Sequence, residues 1–340
     1  MHEIDLNNFS IHTDLVFDDI LDDDTKKKVF YKKKDFGSGV FVEEVKIPKD
    51  LENIIKKRAG RYKMISFVDI TDRDNFNVVL NVFKDEFSLL LNEIGFKKNM
   101  KVLVVGLGNY KSTPDAVGPR TLKNILVTSH LFSLGEVEDG YCDVSIFEPF
   151  VTGETGIDTR DIICALKDKI KPDLIIFVDA LATVAIDRVN RSIQLSDSGI
   201  NPGSGVCNAR GVLDSDFLGC EVIVVGIPTV MDSLTIVSDT INYMFKKFSY
   251  EKKKKSPIDK MKVSVDYSQS KDELSLEEKE KLFGIVGTLD DDKMRQLLFE
   301  VLSPLKYNFM VTTKEIDYFV DKISLLIGKG INMSLHNVDF

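Results

Sequence analysis

The chain has 340 residues, 43% of them hydrophobic and 29% charged, with a formal net charge of -9; that is the make-up of an ordinary globular protein with room for one large α/β domain and an appendage. The acidic balance argues against a polyanion-binding surface, so bare nucleic acid is not an expected partner, and no uninterrupted apolar stretch reaches the roughly 18 residues of a membrane span. Cys142, Cys164, Cys207 and Cys220 lack the close paired spacing of a zinc or redox motif and read as reduced structural thiols, while the start Met1-His2-Glu3-Ile4-Asp5-Leu6 lacks the pattern of a signal peptide, so an intracellular location is expected.

Residues 1 to 50 read as irregular, with an acidic block (Asp18, Asp19, Asp22, Asp23, Asp24) followed by a basic one (Lys26 to Lys28, Lys32 to Lys34). Met64 to Ile70 predicts a first strand. Phe76, Val79, Leu80, Phe83, Phe87, Leu90, Leu91 and Ile94 recur at helical spacing, and Gly95 closes that helix. A buried strand from Val102 follows, then a helix near 117–132 with Pro119 in its first turn. Next come a strand through Val144-Phe147, a loop with Gly153 and Gly156, and a helix over 158–170. Strands at Ile175-Val178, Ile193-Leu195 and Val222-Val225 and a helix over 233–247 complete the pattern. Strands alternating with helices predict an α/β fold with a wound, mostly parallel sheet flanked by helices. The tract Glu251-Lys252-Lys253-Lys254-Lys255-Ser256-Pro257 reads as a linker. Helical spacing in 276–286, 294–302 and 316–327 then predicts a small helical C-terminal appendage within 251–340.

Two of these strands run into aspartates. Val102 to Gly106 leads through Leu107-Gly108-Asn109 to Thr113-Pro114-Asp115, and Ile175 to Val178 ends at Asp179. Ligands of parallel sheets sit beyond the strands' carboxyl ends, so Asp115 and Asp179 are expected to share a cleft. Gly106 and Gly108 invite a dinucleotide reading, but the third glycine is missing, and a turn that positions Asp115, with Pro114 restraining its backbone, fits better. The two carboxylates could each cap a helix or bind loop amides. Alternatively they share a proton, one acting as base and the other as acid, because two like charges about 3 Å apart cannot easily both ionise. His2, His12, His130 and His336 form no triad, and His130 reads as finishing a helix. A metal site of Asp115, Asp179 and Glu148 stays open without a nearby histidine. The loop Asn201-Pro202-Gly203-Ser204-Gly205 is either a simple turn or a source of free amides for substrate.

The runs Gly106-Leu107-Gly108-Asn109 with Thr113 to Pro119, Leu126 to Leu131, Lys171 to Leu174, Val178 to Ala182, Ser196 to Val206 and Gly226 to Val230 resemble the germination protease family of spore-forming bacteria. The resemblance covers most of residues 60 to 245. It implies a fold similar to that of hydrogenase maturation endopeptidases, an unusual aspartic-type endopeptidase with Asp115 and Asp179 as the catalytic pair, and no cofactor or metal. Gly106, Gly108, Asn109, Pro114, Gly203, Ser204 and Gly205 are expected to support the site or bind substrate. The implied substrates are small acid-soluble spore proteins, cut after an acidic residue in a Thr-Glu-apolar-Ala type sequence; the implied location is the forespore and spore core, and the implied assembly a homo-oligomer, a tetramer.

Family members are made as zymogens that cut themselves, and Thr13-Asp14-Leu15-Val16 has the character of such a cut site. Self-cleavage between Asp14 and Leu15 is therefore expected, dividing the chain into a propeptide (1–14), a catalytic α/β domain (15–250) and the C-terminal region (251–340). The chain departs from the family pattern at Tyr110, Lys111-Ser112, Phe150 and Glu154, and at Asn201, where a histidine is expected. A metal-assisted maturation endopeptidase is the alternative reading, and a nucleotide-binding α/β protein a more distant one.

Overall fold

The computed structural model describes residues 13–19, 28–135, 137–202, 211–253, 273–302 and 309–337. They fall into two compact units, one of residues 12–230 together with 312–340 and one including 231–311. No helix among the described residues is long and apolar enough to cross a membrane.

The larger unit is built on a mixed sheet of β1 (Phe30–Asp35), β2 (Phe41–Ile47), β3 (Gly60–Ser66), β4 (Lys101–Gly106), β5 (Asp143–Phe147), β6 (Leu174–Thr183), β7 (Ser192–Ser196) and β8 (Glu221–Asp232). Their order is β1-β2-β3-β7-β8-β6-β4-β5. The parallel pairings expected from continuous apolar runs are those of β4 with β5 and β6, with Val105 opposite both Phe147 and Phe177. Strands β1, β2, β3, β7 and β8 join one another antiparallel.

Residues 28 to 50 are more regular than their composition predicts. Strands β1 and β2 form a hairpin whose turn places Gly37, Ser38 and Gly39 at positive φ. Its outer strand, Phe-Tyr-Lys-Lys-Lys-Asp, is largely exposed. Lysines on an edge strand discourage pairing with a second chain, and the same lysines make the segment read as a charged block.

Residue alternation divides the core between the two faces of the sheet. Val102, Val104, Leu174, Ile176 and Val178 point into one cluster, with Phe83 and Phe87 of helix α3 (Arg73–Glu93) and Val320, Ile323, Ile327 and Ile331 of a helix at 316–335. Leu103, Val105, Ile175 and Phe177 point to the other face, against Ile163 of a helix at 159–170. Two short helices precede α3, α1 (Val16–Asp19) and α2 (Glu52–Ile55). Asp72 caps α3 by accepting from the amides of Asp74 and Asn75.

The helix expected over 117–132 is two, α4 (Val117–Leu122) and α5 (Ser129–Leu134). Tertiary bonds win between them. Leu126 N donates to Asn332 Oδ1, Asn332 Nδ2 donates to Asn124 O, and Thr128 N donates to Val144 O. His130 therefore lies in the first turn of α5 and is exposed, rather than finishing a helix. The chain continues through α6 (Thr152–Thr155), α7 (Thr159–Ile170) and α8 (Ser215–Leu218).

The smaller unit holds α9 (Ser233–Lys253), α10 (Leu276–Phe283), a 3-10 turn (Gly284–Thr288), α11 (Asp291–Leu302) and β9 (Met310–Val311), which pairs with Met231 and Asp232 at the end of β8. A capping box of Ser275 and Glu278 starts α10. Most of the predicted linker lies outside the described residues. Beyond the smaller unit, α12 (Ile316–Leu335) belongs to the larger one. Its apolar face is a full side of that core, as the burial of Val320, Ile323, Leu326, Ile327, Ile331 and Leu335 demonstrates. Periodicity identifies such a helix without revealing what covers it.

Candidate active site

Asp115 is placed by a folded-back loop after β4. Gly108 has φ +114°, and a Cβ there would meet Asp115 O at 2.1 Å. Only glycine tolerates both the dihedral and that approach. Asn109 N donates to Asp115 O (3.0 Å), Ser112 N to Asn109 O (3.0 Å) and Asp115 N to Ser112 O (2.8 Å), closing the loop on itself. Asn109 Oδ1 accepts from Lys111 N (2.9 Å), and Pro114 lies in the first turn of the 3-10 helix Thr113–Asp115. Of the expected support residues, Gly108, Asn109 and Pro114 lie in this turn, and Gly106 ends β4 before it.

The turn is pressed against β6 by glycines. A Cβ on Gly118 would meet Leu107 O at 2.2 Å and Val178 O at 2.5 Å, and one on Gly106 would meet Gly118 O at 2.6 Å. With Leu107 N donating to Val178 O (2.9 Å), Asp115 and the β6 exit are locked into one corner.

Asp179 follows Val178 directly and accepts from Ala180 N (2.9 Å). Its carboxyl is held well above the usual carboxylate range, first by removal from water, then by the negative charges of Asp115 and Asp14; the Ala180 amide pulls the other way. Burial pushes the Asp115 carboxyl up to about 6, against the pull of the Asn109 amide. The negative charge of Asp115 thus reaches Asp179, and that of Asp14 reaches it too.

Asp14 is held on β6 itself. Its N donates to Ala182 O (3.1 Å), and its Oδ2 accepts from Ala182 N (2.8 Å). The flanking residues are gripped as tightly. Lys57 Nζ donates to Thr13 O (2.7 Å), and Val16 N donates to Gln194 Oε1 (3.0 Å). Leu15, Val16 and Phe17 are 0%, 1% and 3% exposed, packed with Val45, Ile47, Tyr62, Met64 and Leu181. The adjoining Asp18 is buried too. It accepts from Thr13 Oγ1 (2.5 Å), Thr183 Oγ1 (2.8 Å) and Val184 N (2.9 Å), and pairs with Arg188.

Sequence reasoning missed Lys57, Gln194, Ala182 and Asp18. Asp18 stands in an acidic run that reads as a solvated face, and the others carry no motif. Gly118 had a signal, a glycine within the first turn of a helix, where only close packing justifies the conformational cost.

Glu148, the third carboxylate of the metal alternative, follows β5. Burial raises its carboxyl while Lys123 opposes the shift, and its Oε1 is buried with no hydrogen-bond partner. Among the described residues, no three His, Cys, Asp or Glu side chains come together as a metal site. Tyr110 is exposed and takes a bond from Lys123 (2.7 Å), and Lys111 pairs with Glu154 (2.6 Å). Those departures thus sit on surface contacts. Gly203, Ser204 and Gly205 lie outside the described residues; beside them, Asn201 Oδ1 is buried without a hydrogen-bond partner.

The family model described as germination protease matches residues 14–339. Curated germination proteases are similar over almost the whole chain. That of Bacillus velezensis is 42% identical over 98% of this chain and 96% of its own length. That of Bacillus subtilis is 41% identical over 98% and 95%. That of Bacillus pumilus is 40% identical over the same shares.

Proposed function

We propose, for a chain that belongs to the germination protease family, that its endopeptidase chemistry is done by Asp115, Asp179 and one water. The observation that carries this is Asp179, whose carboxyl is kept protonated beyond the ordinary range by desolvation and by its acidic neighbours. Asp115, with its carboxyl near 6, is mostly ionised at neutral pH. The pair then holds a single proton between two groups, and its titration belongs to the couple.

In this mechanism Asp115 takes a proton from water as the water oxygen attacks the scissile carbonyl, while Asp179 donates to the carbonyl oxygen. The tetrahedral intermediate collapses with Asp115 returning its proton to the departing nitrogen and Asp179 recovering its own. Hydroxyl ends on the acyl fragment and hydrogen on the amine, so no covalent enzyme intermediate is needed.

The same reading includes self-activation by cleavage between Asp14 and Leu15, releasing residues 1–14 with Glu3, Asp5 and Asp14. Support comes from the seating of Asp14 on Ala182, three residues along the strand from Asp179. A carboxylate that accepts from a backbone amide also gives a physical reason for cutting after acidic residues. The proposed substrates are small acid-soluble spore proteins in the forespore and spore core, and the proposed assembly is a homo-oligomer.

Purified precursor incubated with a spore-protein peptide tests the proposal, wild type beside Asp115→Asn and Asp179→Asn. Both variants are expected to stay full length and leave the peptide uncut. Substantial cleavage by either rejects the pair. Amino-terminal sequencing of mature wild type is expected to begin at Leu15.

A further inference from the structure

Residues 13 to 18 contain a bridge that the proposed cut would dismantle. Thr13 Oγ1 accepts from Leu15 N (3.2 Å) and donates to Asp18 Oδ2 (2.5 Å). One hydroxyl thus links the nitrogen of the scissile bond to a buried carboxylate, and the two groups lie no farther apart than those two bonds laid end to end. Asp18 is also three residues after Leu15, with α1 beginning between them. That is the capping-box spacing, at which an acidic side chain reaches back to the nitrogen before the helix.

Hydrolysis at Asp14–Leu15 changes both ends of this bridge. Thr13 departs with the propeptide, and the Leu15 amide becomes a free amine, which with a reference pKa of roughly 8 is an ammonium at neutral pH. Leu15, Val16 and Phe17 are almost wholly buried, and moving three such apolar side chains into water is unfavourable. The new terminus therefore stays inside the protein. A buried ammonium requires a counter-charge. Around this stretch Asp18 pairs with Arg188, Lys57 donates to Thr13 O, Asp179 feels the charge of Asp14, and Tyr31 of the hairpin interacts with both Glu43 and Arg188. Asp18 is the carboxylate already linked to that nitrogen.

We propose that the Leu15 ammonium takes the place of Thr13 against Asp18 Oδ2, making the mature amino terminus an ion-paired part of the wall behind Asp179. Asp18 is then a positioning residue. Its remaining partners, Thr183, Val184 and Arg188, belong to the end of β6 and the chain just after it, so the pair ties the new terminus to the strand that carries the candidate acid.

The inference rests on the Asp14–Leu15 cut, and the test separates the two. Mature protein is treated with an amine-acylating reagent across a range of pH, and the Leu15 α-amine is followed by mass spectrometry beside the free peptide Leu-Val-Phe-Asp-Asp. Pairing with Asp18 is expected to slow labelling by at least about tenfold near pH 8 and to move the midpoint of the profile up by about one unit or more. Burial without pairing would move the midpoint down instead. Asp18→Asn, matured in trans by wild-type enzyme if it does not cut itself, is expected to return the midpoint to or below the peptide's, and to lower peptide cleavage. Should that variant not accumulate, the direction of the wild-type shift still decides. A wild-type midpoint at or below that of the peptide overturns the ion pair while leaving the cut intact. A mature chain starting at a residue other than Leu15 overturns both.

Discussion

Asp18 and Asp179 are two acidic side chains in neighbouring parts of the larger unit, and their surroundings are opposite. Asp18 receives two hydroxyls, a backbone amide and the Arg188 guanidinium. Asp179 receives one amide and faces further carboxyls. A carboxylate given enough donors ties chain segments together. One denied them is driven towards its neutral form and becomes a proton donor. The chain thus places a carboxylate rich in donors and a carboxyl poor in them near the same strand end.

The largest effect expected from breaking this contrast is chemical. Asp115→Asn or Asp179→Asn is expected to lower the cleavage rate by about 10²–10⁴-fold, the usual share of a general acid or base, as read by initial rates on a spore-protein peptide. A residual rate within a few-fold of wild type would mean that Asp179 is as inert as Asp18. The Asp18 side is tested through its counter-charge. Arg188→Ala leaves a buried carboxylate uncompensated and is expected to destabilise the precursor by about 3–5 kcal/mol in urea unfolding. A loss under 1 kcal/mol would put Asp18 in contact with water.

A subtler test uses stability against pH. Burial raises the folded Asp115 carboxyl from 3.8 to about 6, so the folded state favours the neutral form and ionisation costs stability as pH rises through that window. Asp115→Asn is therefore expected to raise stability above pH 6 by about 1–3 kcal/mol, with the gain fading towards pH 4. Thermal unfolding from pH 4 to 8 checks this, and a gain largest at acid pH would reverse the assignment. The smallest effect concerns the grip on the cut site. Lys57→Ala removes a charged donor to Thr13 O and is expected to slow precursor processing by about threefold to tenfold; unchanged processing would separate that contact from the chemistry.

The apolar runs that lead to Asp115 and Asp179 were legible in the sequence, and the setting of Asp18 was not. Val102 to Val105 and Ile175 to Val178 are continuous apolar runs because both faces of their strands are covered, and each ends at a strand exit where an aspartate stands out. Asp18 has no such frame. Its meaning depends on Thr183 and Arg188, 165 and 170 residues away, and its acidic neighbours disguise it. The β1–β2 hairpin was hidden for a related reason, since an edge strand protected by lysines lacks the alternation that marks a half-buried strand. Helical spacing over 316–327 was visible, but not the helix's extension to 335 or its role in the core, because periodicity reports a buried face without naming the surface it meets.

That helix also sets when the corner around Asp115 is complete. Ser324 Oγ donates to Val117 O (3.3 Å), and Arg120 of α4 pairs with Asp321, 201 residues farther along. During synthesis the loop carrying Asp115 leaves the ribosome long before the residues that buttress it. Domains fold as units at the pace of elongation, so the nascent chain lacks one wall of this core until residues 316–335 have been made. The loop that carries Asp115 is thereby made well before the helix it leans on.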